Sequence, residues 1–386
     1  MAELGREETE LQALGALWTA REIAQQPAML RKTQAALVAD KTAIDGCLRP
    51  LLGRAATRVI LTGAGTSAFI GECLASYLAA RLPCRVEAIA TTDLVSAPHI
   101  YFEIDTPTLL VSFGRSGNSP ESVGALDLAD QLVGDIRHLA ITCNPKGELA
   151  RKVAATGKGM AILLPEETHD RSFAMTSSFS CMLYAALAAL SGIDRMAARV
   201  DRIAQAAETV IATQANAMQA LAAKGYERVV YLGSHVFKGL AREAALKLLE
   251  LTDGGLIAAY DSPLGFRHGP KTIVNGRTLV VIFLSNNSHT RLYDLDLLEE
   301  VRRDGKVGGL LAICGRDDGL SASVERIMIP AMSVAEDIDL LIPFIAAPQI
   351  FAFEQAIGRG LSPDRPNISG TVNRVVQGVR IHPFVP

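Results

Sequence analysis

Short apolar runs bounded by turn residues alternate with stretches of helical spacing along most of this chain. Arg58-Val59-Ile60-Leu61-Thr62-Gly63 reads as a strand and Ser67 to Leu82 as a helix. Cys84 to Ile89, Leu109 to Phe113, His138 to Thr142 and Met160 to Leu164 supply four further strands. Between them, Glu121 to Leu132 places Val123, Leu126, Leu128, Ala129 and Leu132 on one helical face. The Ala- and Leu-rich stretch Phe179 to Leu190 closes this half as a helix. Strands that are apolar throughout and alternate with helices predict a mainly parallel sheet covered on both faces. Ahead of the first strand, Leu11, Leu14, Leu17, Trp18, Ile23, Met29, Leu30, Leu37 and Val38 predict a pair of helices broken near Pro27.

The second half repeats the first. Arg228-Val229-Val230-Tyr231-Leu232-Gly233 matches Arg58 to Gly63 at an offset of 170, and Thr278 to Phe283 matches Thr108 to Phe113 at the same offset. Leu311-Ala312-Ile313 matches Leu139-Ala140-Ile141 at 172. Three strands in one order and nearly one register predict a duplicated α/β unit. The expected division is an N-terminal helical segment over 1–45, an α/β domain over 46–195, a connecting helix over 196–223, a second α/β domain over 224–345, and a closing helix with a tail over 346–386. The fold class is thus α/β, with two tandem domains, each a mainly parallel five-stranded sheet with helices on both faces. Ile338 to Ala356 reads as the closing helix, kinked or interrupted at Pro343 and Pro348, and Ser362 to Pro366 as a surface loop.

Composition narrows the class. With 386 residues, 49% of them hydrophobic and 20% charged, the chain has enough apolar residues for two globular cores. A formal net charge of -3 argues against non-specific nucleic-acid binding. The start MAELGREETE lacks the features of a signal peptide, and the apolar run Cys181 to Leu190 is too short to span a membrane. Six widely spaced cysteines read as buried thiols in a reducing compartment. No membrane or nucleic-acid partner is expected, and the location expected is cytoplasmic.

Candidate chemistry begins at Phe113-Gly114-Arg115-Ser116-Gly117-Asn118-Ser119-Pro120. Strand, hydroxyl-rich loop and helix N-terminus in that order suit an oxyanion such as phosphate. The plainer reading is that Asn118 or Ser119 only caps the helix, with Pro120 at its first position. Gly63-Ala64-Gly65-Thr66-Ser67-Ala68 satisfies a dinucleotide-binding glycine pattern, and Glu87 stands near the place of a ribose-binding acid, so a dehydrogenase competes. Against it, Thr66 and Ser67 put hydroxyls where that turn needs none, and two such loops suit one small phosphate. In the second half, Glu243, Lys247 and Glu250 stand at i, i+4 and i+7, so one helical face carries acid, base and acid. That trio is either a surface ion pair or a proton-transfer group. His268, before Gly269-Pro270, is either a turn histidine or a functional one. The other histidines form no ligand cluster, so no metal is expected.

Gly65-Thr66-Ser67 and Ser116-Gly117-Asn118-Ser119 within a duplicated α/β unit resemble the sugar isomerase (SIS) domain family, which binds phosphosugars. Glu243 to Glu250, followed by Arg267-His268-Gly269-Pro270, is similar to the isomerase half of glucosamine-6-phosphate synthase. The tail Ser369 to Val379 and the segment Ser172 to Phe179 look like the narrower AgaS-type subgroup of galactosamine-6-phosphate deaminase/isomerases or tagatose-6-phosphate ketose/aldose isomerases. The resemblance implies two SIS domains, with Ser67, Ser116 and Ser119 on the phosphate and Thr66, Arg115, Gly117 and Thr176 on the substrate. It implies Glu250 as the carboxylate that moves a proton between C1 and C2, Lys247 as a neighbour polarising the reacting oxygens, and His268 in ring opening. It also implies a homodimer sharing the site, and no cofactor.

Two departures from the synthases narrow the expected reaction. The chain opens at Met1-Ala2-Glu3 without a glutaminase domain, so release of ammonia is expected rather than its uptake. Gly370 stands where those relatives carry a sugar-contacting lysine, so imine chemistry would use the substrate's own amine. Gly265 also departs, at a position where the synthases have an acid. The expected activity is conversion of D-galactosamine 6-phosphate to D-tagatose 6-phosphate and ammonia. The alternatives are an aldose–ketose isomerase on a hexose 6-phosphate, or a phosphosugar-sensing module without catalysis.

Overall fold

The computed structural model describes residues 3–376 and 378–385. Met1 and Ala2 of the N-terminal segment, Gln377 of the tail and Pro386 lie outside the described residues. The chain divides into two compact units. One comprises Ala28–Asp170, Ser177–Val200 and Gly370–Pro386; the other comprises Met1–Pro27, Arg171–Thr176 and Asp201–Ser369. This division differs from the expected segments because the N-terminal helices split at Pro27 and the tail belongs with the first sheet.

In the first unit the strands are β1 (Arg58–Thr62), β2 (Arg85–Ala88), β3 (Thr108–Gly114), β4 (Ile136–Thr142) and β5 (Gly159–Leu163). All neighbours pair in parallel, in the order β2-β1-β3-β4-β5. Every residue of β1 is buried, as its unbroken apolar run requires of a strand covered on both faces. Ile60, Leu110 and Ile136 meet Leu94, Phe102, Ala125 and Leu128 in the core on one face.

The second unit repeats the plan with β6 (Arg228–Gly233), β7 (Ile257–Asp261), β8 (Thr278–Leu284), β9 (Gly309–Cys314) and β10 (Glu325–Met328). Its order is β7-β6-β8-β9-β10, again all parallel. Register repeats as well as order: Arg58 lies opposite Thr108, and Arg228 opposite Thr278. Val230, Ile282 and Ala312 build its core with Leu297, Leu298 and Val301.

Several elements differ from the sequence expectation. Residues 7 to 45 do not form a pair of helices broken at Pro27; the helices are Glu8–Ala13, Leu17–Ala24, Gln26–Ala39 and Lys41–Leu52. Pro27 stands in the first turn of its helix, where its missing N–H costs nothing. The expected connector is two helices, Ile193–Ala197 and Val200–Ala222. The closing helix Asp337–Gly358 runs uninterrupted through both prolines. Among the described residues it is the one helix long and apolar enough to cross a membrane, and 94% of its apolar window is buried inside the protein. The loop at 362–366 is anchored: Asp364 accepts from Trp18 N at 3.1 Å and Thr19 N at 2.7 Å, capping the helix that starts there.

Candidate active site

In each sheet the connections from the two central strands run toward opposite edges. The loops after β1 and β3 therefore part at a switch point, where open parallel sheets leave a crevice. Gly63 follows β1 in contact with the next turn: a Cβ there would stand 2.6 Å from the Ser67 carbonyl carbon. Gly65 takes φ 55° and ψ -129°, so the helix Thr66–Ala79 begins at once. Thr66 and Ser67 occupy its first turn, both buried.

The loop after β3 is held by the segment that follows β4. Asn144 donates to the Ser116 carbonyl (2.8 Å), Leu149 N–H to the Gly117 carbonyl (3.0 Å), and Glu148 N–H to the Asn118 side chain (3.0 Å). Gly117 has φ 65°, and Gly114 is packed so closely that a Cβ would lie 2.9 Å from Leu149 Cδ1. The Ser116 hydroxyl accepts from Asn118 N–H at 3.2 Å. Ser119 precedes the helix Pro120–Leu132 and donates to Glu121 at 2.7 Å, so it does not cap through its side chain. Arg115 is buried and donates to the Arg374 carbonyl at 2.9 Å. Thr176, also buried, directly precedes the helix Ser177–Ser191.

Glu87 does not stand free for a ribose. It accepts from the buried Arg58 Nε at 2.6 Å and from Arg85 at 2.9 Å.

The corresponding crevice of the second sheet is occupied by the chain itself. Asp294 accepts from Ser234, after β6, at 2.5 Å, and from Ser285 N–H, after β8, at 3.0 Å. Asp337 accepts from the Ser285 hydroxyl at 2.5 Å and from Asn286 N–H at 2.7 Å. Asp294 is fully buried, and burial pushes its carboxyl up to about 6 despite the two donors. At the offset of 170, Asp294 corresponds to Gly124 and Ser67 to Phe237.

The helix Val236–Leu251 carries the ionic trio. Lys247 is 1% exposed; it donates to Glu250 and lies 3.6 Å from Glu243. Glu243 is sealed at 0% exposure, whereas Glu250 retains 23%. The surface-pair reading of this trio therefore does not hold, because the ammonium and one of its carboxylates are buried. Of the two acids, only Glu250 keeps contact with solvent. His268 is exposed in the loop after β7, its N–H bonded to the Gly265 carbonyl at 2.9 Å. A Cβ at Gly265 would stand 2.6 Å from Asp261 Oδ1, so an acid from 261 already borders that position.

Sequence reasoning did not single out Asp294, Asp337, Asp170 or Arg374. Asp294 did leave a signal, since it precedes Leu297, Leu298 and Val301 by 3, 4 and 7 residues and so puts an acid on an apolar helical stripe. Asp170 gave none: it receives Ser177, Ser178 N–H (2.9 Å) and the Ser178 hydroxyl (2.5 Å) through a loop closure only folding reveals.

Residues 54–192 match the family model described as SIS domain. The D-galactosamine-6-phosphate deaminase AgaS of Escherichia coli is 44% identical over 95% of this chain and 96% of its own length. The protein of the same name from Shewanella sp. is 44% identical over 97% and 94%. The crystal structure of tagatose-6-phosphate ketose/aldose isomerase from Escherichia coli superposes with a TM-score of 0.88 at 41% identity, covering 95% of this chain and 97% of that one. Identity at this level over nearly the full length shows that the chain belongs to the SIS domain family, in its AgaS-type subgroup.

Proposed function

We propose that this chain is a deaminating isomerase that converts D-galactosamine 6-phosphate and water to D-tagatose 6-phosphate and ammonia. The observation that carries the reading is the buried Lys247 held between a sealed Glu243 and an accessible Glu250. A base that removes a proton from carbon and returns it one atom along must reach substrate and keep a cation beside it. Full-length likeness to D-galactosamine-6-phosphate deaminases supports the choice of substrate.

Ser67, Ser116 and Ser119 bind the phosphate, and Thr66, Arg115, Gly117 and Thr176 contact the remainder of the substrate. His268 assists opening of the pyranose. In the open chain the C1 carbonyl acidifies the C2 proton, and Glu250 takes it as the C1 oxygen gains a proton, forming an enolamine. Lys247 stabilises the charge that develops on oxygen. Return of the proton to C1 leaves an imine at C2; water adds there, ammonia leaves, and the ketone remains. No cofactor enters this balance.

The second sheet is a second SIS domain, descended from the first by duplication; the shared strand order and register support this. The enzyme works in the cytoplasm as a homodimer that shares its site between subunits, and light scattering on the purified protein tests the dimer. Plain interconversion of tagatose 6-phosphate with its aldose is the second reading, favoured by the likeness to the Escherichia coli tagatose-6-phosphate ketose/aldose isomerase.

The test is ammonia release from galactosamine 6-phosphate and glucosamine 6-phosphate by wild type and Glu250→Gln. Release from the galacto sugar is expected, reduced about 1,000-fold in the variant. Absence of ammonia from both sugars, with tagatose 6-phosphate still isomerised, replaces the deaminase with the second reading.

A further inference from the structure

The tail beyond residue 370 returns to the first sheet and ends against the helix that the 114–119 loop opens. The Arg374 carbonyl accepts from Arg115, and the Arg374 guanidinium donates to the Asp170 carbonyl. Asp170 is itself fixed, its carboxylate receiving Ser177 and Ser178 at the start of the helix Ser177–Ser191. Farther on, Ile381 packs over Gly124, where a Cβ would stand 3.2 Å from Ile381 Cγ2. Phe384 stacks on His99 with ring centroids 5.8 Å apart, and its carbonyl accepts from Gln131 at 3.0 Å. The tail is thus anchored at both ends of the helix Pro120–Leu132, and at its loop end the anchor is an arginine.

We propose that Arg374 is a positioning residue for the phosphate loop: through its carbonyl and guanidinium it ties Arg115 to Asp170 and so holds the 114–119 loop in its binding conformation. This inference rests on the reading of that loop as a phosphate site. Arg115 and Arg374 both place positive charge at this end of the loop. His169 registers the same field. Burial first, and then the Arg374 and Arg115 charges, hold its pKa below the ordinary histidine range, so it adds no third positive charge at neutral pH.

A residue that only positions a binding loop alters ground-state and transition-state binding alike, so KM moves and kcat does not. The experiment uses the full chain with Arg374→Ala, Arg374→Lys and deletion of 370–386. Two measurements are made: kinetics on the phosphosugar, and binding of inorganic phosphate by titration calorimetry. For Arg374→Ala the expectation is an increase of about tenfold in both KM and the phosphate dissociation constant, with kcat within about twofold, as for loss of one charge-assisted hydrogen bond. Arg374→Lys recovers part of the loss, and the deletion loses at least as much as Arg374→Ala. If Arg374→Ala binds phosphate as tightly as wild type, the proposal is overturned while the phosphate loop stands. Wild type that binds no phosphate overturns the reading of the loop and the proposal with it. Should Arg374→Ala fail to fold, Arg374→Lys carries the same test.

Discussion

The two switch-point crevices share one backbone plan and have opposite contents. At the first, the turns after β1 and β3 carry Thr66, Ser67, Ser116 and Ser119, and the position of Asp294 is held by Gly124, over which Ile381 packs. At the second, Asp294 bridges Ser234 and Ser285, and Asp337 takes the next donors along the loop. A carboxylate there does for the fold what a bound phosphate would do for a ligand site: it accepts from hydroxyls and N–H groups that would otherwise be buried without partners. Difference in content, on a common plan, separates the crevice proposed to hold the phosphate from one that the chain fills itself. The groups proposed to react stand elsewhere in the second unit, on the helix Val236–Leu251.

The largest effect is expected from giving the first crevice the chemistry of the second. Ser116→Asp puts a fixed negative charge where phosphate is proposed to bind, and kcat/KM for the phosphosugar should fall by about 1,000-fold, since like charges at close range cost several kcal/mol. A loss below about tenfold would mean that the 114–119 loop does not hold the phosphate.

Next is Lys247→Met, which removes the buried ammonium that lies 3.6 Å from the sealed Glu243. Stability should drop by about 3–5 kcal/mol, read by urea unfolding. An unchanged midpoint would mean that the buried ammonium contributes nothing to the stability of the fold.

Asp294 gives a smaller effect with a definite sign. Its carboxyl titrates at about 6 in the folded protein, above the ordinary value of 3.8. Between those values the folded state holds a proton that the unfolded state has lost, so this contribution is full below about pH 4 and is lost as pH rises through 6. The size is about 2–3 kcal/mol. Asp294→Asn should therefore destabilise more at pH 4 than at pH 8, and parallel pH profiles for variant and wild type would remove Asp294 as the source.

The smallest effect concerns the turn that both crevices use. Gly65 (φ 55°, ψ -129°) and His235 (φ 53°, ψ -122°) take the same conformation 170 residues apart, but only glycine adopts it without strain. His235→Gly should raise stability by about 1 kcal/mol and Gly65→Ala lower it by about 1–3 kcal/mol, both from thermal unfolding.

Much of this was legible in the chain. The central strands β1, β3, β4, β6, β8 and β9 announce themselves as apolar runs because they are buried on both faces. The edge strands β7 and β10 are less plain: Ile257–Asp261 has no fully buried residue and Glu325–Met328 has one, so neither shows a run sealed on both faces. Helix spacing put Glu243, Lys247 and Glu250 on one face, yet spacing is the same whether that face meets solvent or core. Burial alone decided that Lys247 is enclosed, that Glu243 is sealed and that Glu250 is reachable.

By itself, then, the sequence determined the α/β class, the repeated strand order and the hydroxyl-bearing turns, because these follow from local periodicity and from which residues a turn admits. Only the tertiary structure decided that Asp294 fills one crevice, that Arg374 returns to Arg115, and that Pro27 opens a helix rather than breaking one. Those outcomes depend on contacts between residues far apart in the chain, and whether a polar group is satisfied or a charge is enclosed is a property of its surroundings rather than of its spacing.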